Sequence, residues 1–476
     1  MKTVWRLLFG LLLASVIPAC GGNSDNPKPP ATLAIAPTTL VATAITSARI
    51  DLSWVDASDN EFEFRIERSS ASVGPYTQIG TAPKNAQAYS DLGLPPNTTQ
   101  FYRVTAWNSV GNSPYAGPAS AATQSLAWTA GSMTGGPTVG RGNQSAVFDS
   151  FGQQMLVFGG IDDSLNVLNE LWALDLRKDP IAPTAPALSA WSAPTNSGAP
   201  SLYGHSAIYD TAHQRMIVFG GWDDTFTQTN DVYVLDLSVG PPYTWTKLVA
   251  SGPTPTITGV PPAVRGFHTA VYDSANQQMI VYGGYHEDLV VPTNTGRVGD
   301  IHILSLPTAY PLVWSTPAVL PAPFARSQHT SITDPIQGRM IMFGGEDSNI
   351  AVDGSVLSNE TWAFVPSSNS WIPFFFSGTP SFKSGHSSIY DAANRRMVVF
   401  GGESADVPSL TLSNELWEMR LDAAPAWGIL NAALPPGLTP RYGHSAIYDS
   451  AKNRMVIYGG FDPTLTSFNQ LWVIKL

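Results

Sequence analysis

One pattern dominates the chain: four apolar residues in a row, closed by two glycines and flanked by polar positions. It occurs as Met155-Leu-Val-Phe-Gly-Gly160, Met216-Ile-Val-Phe-Gly-Gly221, Met279-Ile-Val-Tyr-Gly-Gly284, Met340-Ile-Met-Phe-Gly-Gly345, Met397-Val-Val-Phe-Gly-Gly402 and Met455-Val-Ile-Tyr-Gly-Gly460. The runs lack alternation, so each reads as a short strand buried on both faces. Their first glycines are 61, 63, 61, 57 and 58 residues apart, which is the spacing of a repeat architecture. Ahead of each run lies another strand, Gly204-His-Ser-Ala-Ile-Tyr-Asp210 in the second copy. A third strand is announced by Asn169-Glu-Leu-Trp172, Asn230-Asp-Val-Tyr233, Gly299-Asp-Ile-His302, Asn359-Glu-Thr-Trp362, Asn414-Glu-Leu-Trp417 and Asn469-Gln-Leu-Trp472. Trp191, Trp245, Trp314, Trp371 and Trp427 mark a fourth.

These tryptophans number five, and the sequence stops at Leu476, directly after the sixth copy's third strand. Leu126-Ala-Trp128, just ahead of the first copy, supplies the missing strand. An early strand that completes the last sheet closes a ring and leaves no open junction. The glycine pair follows from the same geometry, because backbone must turn and approach its neighbour closely there.

Four short strands per repeat are the blade of a propeller. The glycine pair after an apolar strand, with spaced aromatics, resembles the kelch family over residues 126–476. The expected fold is therefore all-β, with a six-bladed kelch β-propeller closed by an N-terminal outer strand. Upstream the pattern alternates, as in Arg49-Ile-Asp-Leu-Ser-Trp54 and Phe62-Glu-Phe-Arg-Ile-Glu-Arg68. Together with Leu94, Thr98 and Tyr102, residues 31–125 resemble a fibronectin type III β-sandwich, a fold that needs no disulfide. No Arg-Gly-Asp loop is present, so this domain reads as a spacer.

Composition narrows the classes. The chain has 476 residues, 39 Pro, 41 Gly and a formal net charge of -11, which argues against a nucleic-acid partner. Its one cysteine excludes internal disulfides and four-cysteine zinc sites. Residues 1–20 read as an export signal, with Lys2 and Arg6 ahead of an apolar core too short to span a bilayer. Ile17-Pro-Ala-Cys20 resembles the lipobox of bacterial lipoproteins, which implies lipidation of Cys20, a flexible tether over 21–30 and an outer-membrane location. Without lipidation the chain would be secreted.

Three groups of residues are candidates for chemistry. His205, His268, His329, His386 and His444 share one position, with Gln144 in the first copy. A position that repeats is structural before it is catalytic, so neither a metal ring nor a Ser-His-Asp triad is implied. Arg141, Arg265, Arg326 and Arg441 lie three residues earlier, where basic residues of the resembled family reach the channel mouth. They are a candidate ring for a carboxylate ligand, or else pair with Glu170, Asp231, Asp300, Glu360 and Glu415. The loops after the glycine pairs are less repetitive. They carry Trp222, Asp223, Tyr285, Glu287 and Phe461, suited to stacking and hydrogen-bonding sugars. Three converging oxygens there would hold calcium; otherwise the face is a solvated acidic surface. The loop Tyr285–Val298 is the longest.

The kelch resemblance extends to galactose oxidase, whose copper site uses a cysteine, and to a sialic-acid mutarotase. No cysteine lies in this propeller, so copper radical chemistry is not expected and no cofactor is implied. The sequence favours a monomeric, envelope-anchored binding protein for a glycan, peptide or protein ligand. A mutarotase-type carbohydrate enzyme and a purely structural envelope protein are the alternatives.

Overall fold

The computed structural model describes residues 32–131, 133–178, 189–250, 256–287, 295–319, 322–348, 357–374, 380–406, 409–421 and 425–476. The expected signal and tether, Cys20 included, lie outside the described residues. The chain forms two compact units, one from residues through Val41, Ser53–Tyr89 and Phe101–Ala119, the other from Ala42–Leu52, Ser90–Gln100 and Ser120–Leu476. The described elements are strands, apart from a single-turn 3-10 helix at Pro366–Ser368.

Before residue 126 the strands bury alternate side chains, as their sequence dictates. Arg49–Val55 buries Ile50, Leu52 and Trp54, Glu63–Ser69 buries Phe64 and Ile66, and Thr99–Asn108 buries Tyr102, Val104 and Ala106. One sheet runs Thr38–Ala44, Arg49–Val55, Ala88–Leu92. Another runs Thr77–Pro83, Glu63–Ser69, Thr99–Asn108, Gly111–Asn112, with Ala116–Ala122 also on Thr99–Asn108. Trp54 packs against Phe64, ring centroids 5.4 Å apart.

From residue 128 on, the strands build six antiparallel sheets of four. Sheet 1 runs Ser145–Asp149, Gln154–Phe158, Leu171–Asp175, Ser189–Ser192. Sheets 2 to 5 start at Ser206–Asp210, Thr269–Asp273, Thr330–Asp334 and Ser387–Asp391 and repeat this order. Sheet 6 takes Ser445–Asp449, Arg454–Tyr458 and Leu471–Lys475 from the chain's end, and Trp128–Ala130 as its fourth strand. In that pairing Trp128 stands opposite Ile474 and Ala130 opposite Trp472.

A second pairing places Trp128–Ala130 in the same role. After each of two fourth strands, the chain pairs in parallel with the next sheet's fourth strand: Asn196–Ser197 with Tyr243–Lys247, and Ile257–Gly259 with Leu312–Ser315. Met133–Thr134, just after Trp128–Ala130, pairs in parallel with sheet 1 in the same way. The first strands lie side by side in order, and that of sheet 6 adjoins that of sheet 1.

Apolar clusters fill the gaps between consecutive sheets, including the gap between the sixth and the first. A single contact recurs in all six gaps. The fourth-strand tryptophan of one sheet lies on the aromatic residue before the glycine pair of the sheet preceding it. The pairs are Trp245–Phe158, Trp314–Phe219, Trp371–Tyr282, Trp427–Phe343, Trp128–Phe400 and Trp191–Tyr458, with centroids 4.4, 5.2, 4.7, 4.5, 4.7 and 5.2 Å apart. The glycine pairs are left-handed, with φ of 67° at Gly220 and 93° at Gly221. A Cβ on Gly221 would come 2.6 Å from the carbonyl of Tyr203, so strain and space both demand glycine there.

Candidate functional site

The axis enclosed by the six first strands is closed by a belt of six residues, one from each sheet. Asn143, Gly204, Phe267, Gln328, Gly385 and Gly443 all have φ between 54° and 63°. Each donates its N–H to the carbonyl of the belt residue in the preceding sheet, and Asn143 closes the circle onto Gly443; the six bonds measure 2.7–3.0 Å. Asn143, Phe267 and Gln328 adopt this conformation without being glycine, at about 1–2 kcal/mol each. The closed hydrogen-bond circle holds them there.

Beneath the belt lie the repeated histidines. Their Nε2 atoms reach the hydroxyl of the preceding sheet: His205–Ser145 and His268–Ser206 at 2.8 Å, His329–Thr269 at 2.9 Å, His444–Ser387 at 2.7 Å. Gln144 makes the corresponding link from sheet 1 to sheet 6, donating to Ser445 Oγ at 3.2 Å. The link from His386 is absent, and Thr330 Oγ1 has no partner. Burial holds all five imidazoles neutral, with His205 and His386 pushed down to about 3 and the others well below their usual value. No triad forms, because Ser206 serves the next sheet's histidine while Asp210 holds Arg215 at 2.8 Å.

The candidate arginine ring is turned inward. Arg141 donates to Glu170 at 2.6 Å, Arg265 to both oxygens of Asp300 at 2.6 and 2.9 Å, and Arg326 to Glu360 at 2.6 Å. Each also donates to a glycine-pair carbonyl. All three are fully buried, so the carboxylate pairing expected of a ligand is already made inside the chain. Lys383 meets Glu415 at 3.2 Å, and Asp231 instead holds Lys247 at 2.6 Å. Arg441 differs: its partner is the neutral Gln470 at 3.0 Å, and burial pushes its pKa down to about 10.

Above the belt, two positions per sheet form the channel mouth. One is the residue before the belt and the other the residue after the glycine pair, and each sheet joins its two in a short antiparallel bridge. The pairs are Gly142–Ile161, Tyr203–Trp222, Gly266–Tyr285, Ser327–Glu346, Ser384–Glu403 and Tyr442–Phe461. Aromatic residues therefore occupy sheets 6, 2 and 3, and carboxylates beside serines occupy sheets 4 and 5. Glu346 accepts from Gln328 at 2.9 Å and pairs with Arg297. Glu403 accepts from Ser384 Oγ at 3.0 Å and has no cation beside it among the described residues. Burial, then the neighbouring charge of Glu346, holds its carboxyl above the usual range. Burial and the charge of Glu403 likewise raise Tyr442.

The expected loop aromatics divide. Trp222 and Phe461 are buried instead of displayed, because each lies on a glycine of the next sheet. A Cβ on Gly266 would collide with Trp222, and one on Gly142 with Phe461. Trp222 stacks on Tyr203 at 5.4 Å, and Tyr203 is half-buried at the mouth. Asp223 folds into its own loop, accepting from Thr225 N at 2.9 Å and Thr227 N at 3.0 Å. Asp162 and Asp462 do the same in their loops. These carboxylates do not converge, and no group of three or more His, Cys, Asp or Glu among the described residues could hold a metal. Tyr285 is half-buried and ladders with Arg297; Glu287 is exposed, its N–H bonded to Gln228. Part of the loop Tyr285–Val298, residues 288–294, lies outside the described residues.

Sequence reasoning missed three features. Asp210–Arg215, Asp334–Arg339, Asp391–Arg396 and Asp449–Arg454 are buried pairs at 2.7–3.1 Å across the first hairpin; the recurring five-residue spacing was their signal. Ser384 at the mouth and Gln328 in the belt are residues whose signal was departure from the repeat. The third is a set of apolar loop tips, Leu165, Phe226 and Leu465. No helix among the described residues is long and apolar enough to cross a membrane.

Comparison with known proteins bears on this geometry. The KLHDC2/KLHL20/DRC7 Kelch-repeats domain matches residues 185–320 and 253–424, together about half of the chain. Putative adagio-like protein 2 of Oryza sativa subsp. japonica is 27% identical over 303 residues, 60% of this chain and 42% of that protein. The F-box/kelch-repeat protein At1g51550 of Arabidopsis thaliana is 24% identical over 331 residues, covering 64% of this chain and 63% of that one. The chain thus spans under half the length of the adagio-like relatives. Among solved structures, that of YjhT aligns with 15% identity and a TM-score of 0.41, over 56% of this chain and 73% of that one.

Proposed function

The chain belongs to the Kelch-repeat family, and from that premise we propose a non-catalytic binding protein: a six-bladed propeller whose channel mouth receives a ligand. A fibronectin type III-like sandwich over 31–125 spaces it from a lipid anchor at Cys20 in the bacterial outer membrane. One observation carries the reading. Buried positions repeat the same chemistry around the ring, whereas the two mouth positions break it into an aromatic side and an acidic side. Repetition serves packing; asymmetry at an accessible surface serves recognition. The inward pairing of Arg141, Arg265 and Arg326 moves the expected binding residues to Tyr203, Tyr285, Glu287, Glu346, Glu403 and Tyr442.

The test is a combined glycan and peptide array probed with the full chain and with a Tyr442→Ala/Glu403→Gln variant. Signal lost in the variant supports the mouth; signal that persists unchanged removes it. Turnover of a sugar that disappears in Glu403→Gln would transfer the reading to a carbohydrate enzyme. For the anchor, Cys20→Ser should move the protein from the detergent-soluble membrane fraction to the aqueous one. A Cys20→Ser protein still held in the membrane would remove the lipid assignment.

A further inference from the structure

We propose that the ligand is a protein segment bearing a lysine or arginine, its cation seated between Glu403 and Tyr442 and its apolar neighbours on the tips Leu465, Leu165 and Phe226. This rests on the mouth being the binding face. Three independent features of that face meet in one kind of occupant.

The first is charge. Glu346 has Arg297 as its cation, while Glu403 is partly buried with only the Ser384 hydroxyl among the described residues. A carboxylate drawn out of water without a positive partner is costly, and an incoming ammonium or guanidinium removes that cost with a charge-assisted hydrogen bond. Exposed Glu287 adds to the same field; burial first, and then the charge of Glu287, raise Tyr203.

The second is the ring faces. Tyr442 and Tyr203 are half-buried at the mouth, and electron-rich faces beside a carboxylate attract cations more than neutral groups. Carboxylate ligands would meet repulsion here.

The third is the apolar tips. The loops of sheets 6, 1 and 2 are ten residues each from glycine pair to third strand, against 16, 15 and 13 in sheets 3, 4 and 5. All three short loops have one conformation, an aspartate accepting from the backbone two and four residues on. It leaves Leu165, Phe226 and Leu465 left-handed, with φ of 63°, 57° and 64°, and 66%, 48% and 63% exposed. Large apolar residues there bear both strain and exposure, and a covering partner relieves the exposure. Phe226 touches Tyr203 edge-on at 6.1 Å, so the apolar arc continues into the mouth. A small amine would fill the mouth and leave these tips bare; a polypeptide covers both.

The experiment is a random-dodecamer peptide array probed with the full chain, followed by fluorescence anisotropy on the strongest peptides. Bound peptides should be enriched in Lys or Arg flanked by apolar residues, with affinity falling as salt rises. Glu403→Gln should weaken them about tenfold or more, and Leu165→Asn/Leu465→Asn several-fold, with unfolding midpoints close to the parent's. Enrichment of Asp or Glu, absence of charge preference, or unchanged affinity in Glu403→Gln overturns the inference. If Tyr442→Ala still abolishes that binding, the mouth reading survives and only the cationic assignment falls. Peptide binding indifferent to every mouth substitution sinks both.

Discussion

At the scale of single residues, the repeated histidine shows what a sequence gives away and what it withholds. Recurrence at one position marked it as structural, and Gln144 in the first copy pointed to hydrogen bonding instead of metal binding. Its partner was illegible, because four of the five imidazoles bond a hydroxyl about 60 residues earlier in another sheet. The consequence is a dependence on acid. The unfolded chain protonates these histidines near pH 6.5, whereas His205 and His386 resist until about 3. Above pH 6.5 both states are neutral and nothing is lost; between 6.5 and 3 the unfolded state alone takes up protons, so stability falls. Each histidine contributes up to about 1.4 kcal/mol per pH unit. His205→Gln should leave stability at pH 7.5 within about 1 kcal/mol, since an amide already serves at Gln144. It should flatten the slope between pH 6 and 4.5 by roughly one proton, read from urea midpoints; an unchanged slope means that His205 titrates freely. Arg441 makes a second case. Its carboxylate partner is replaced by Gln470 in otherwise equivalent geometry, with Trp472 also donating to the same oxygen. Gln470→Glu should add up to ~1 kcal/mol at neutral pH, limited by solvent screening. A loss of stability would show that Arg441 is already adequately compensated.

At the scale of elements, the strands were readable because an unbroken apolar run between turn residues has few other uses. The glycine pairs and the tryptophans were readable for the same reason: close approach and wedge filling restrict those positions to few residue types. The mouth bridges were not, since a ladder of one or two residues has no period to detect, and Glu346 and Glu403 looked like ordinary loop acids. The inward turn of the arginines was legible only as one of two readings, because a basic position near a channel suits an ion pair and a ligand alike. Trp128 is the sharpest test of the element reading. It is buried, stands opposite Ile474 and lies on Phe400, just as Trp245 lies on Phe158. Trp128→Ala should therefore cost about 3–5 kcal/mol, as much as Trp245→Ala, although it lies some 340 residues from the strand it completes. A cost below about 1 kcal/mol, typical of a surface change, would mean that sheet 6 stands without it.

At the scale of the molecule, near-sixfold repetition builds the frame, and the proposed recognition rests on departures from it. A closed ring distributes packing evenly: six inter-sheet clusters, six tryptophan wedges and a belt of six backbone bonds leave no sheet without neighbours on both sides. Such a ring tolerates divergence at the mouth because its stability lies in the gaps and not in the loops. It also ties stability to one covalently distant strand. Antiparallel pairing of Trp128–Ala130 with Leu471–Lys475 means that a turn after Leu476 could deliver the same strand from the other direction. Replacing residues 126–131 by a glycine-serine linker of equal length should lower the melting temperature and expose the third strand of sheet 6 to proteolysis. Adding a copy of Leu126–Gly131 after Leu476 through a two-residue turn should restore both. Recovery would show that closure depends on the strand and not on where the chain supplies it. Failure of the relocated copy, with the linker variant already as stable as the parent, would show that the ring holds without a closing strand.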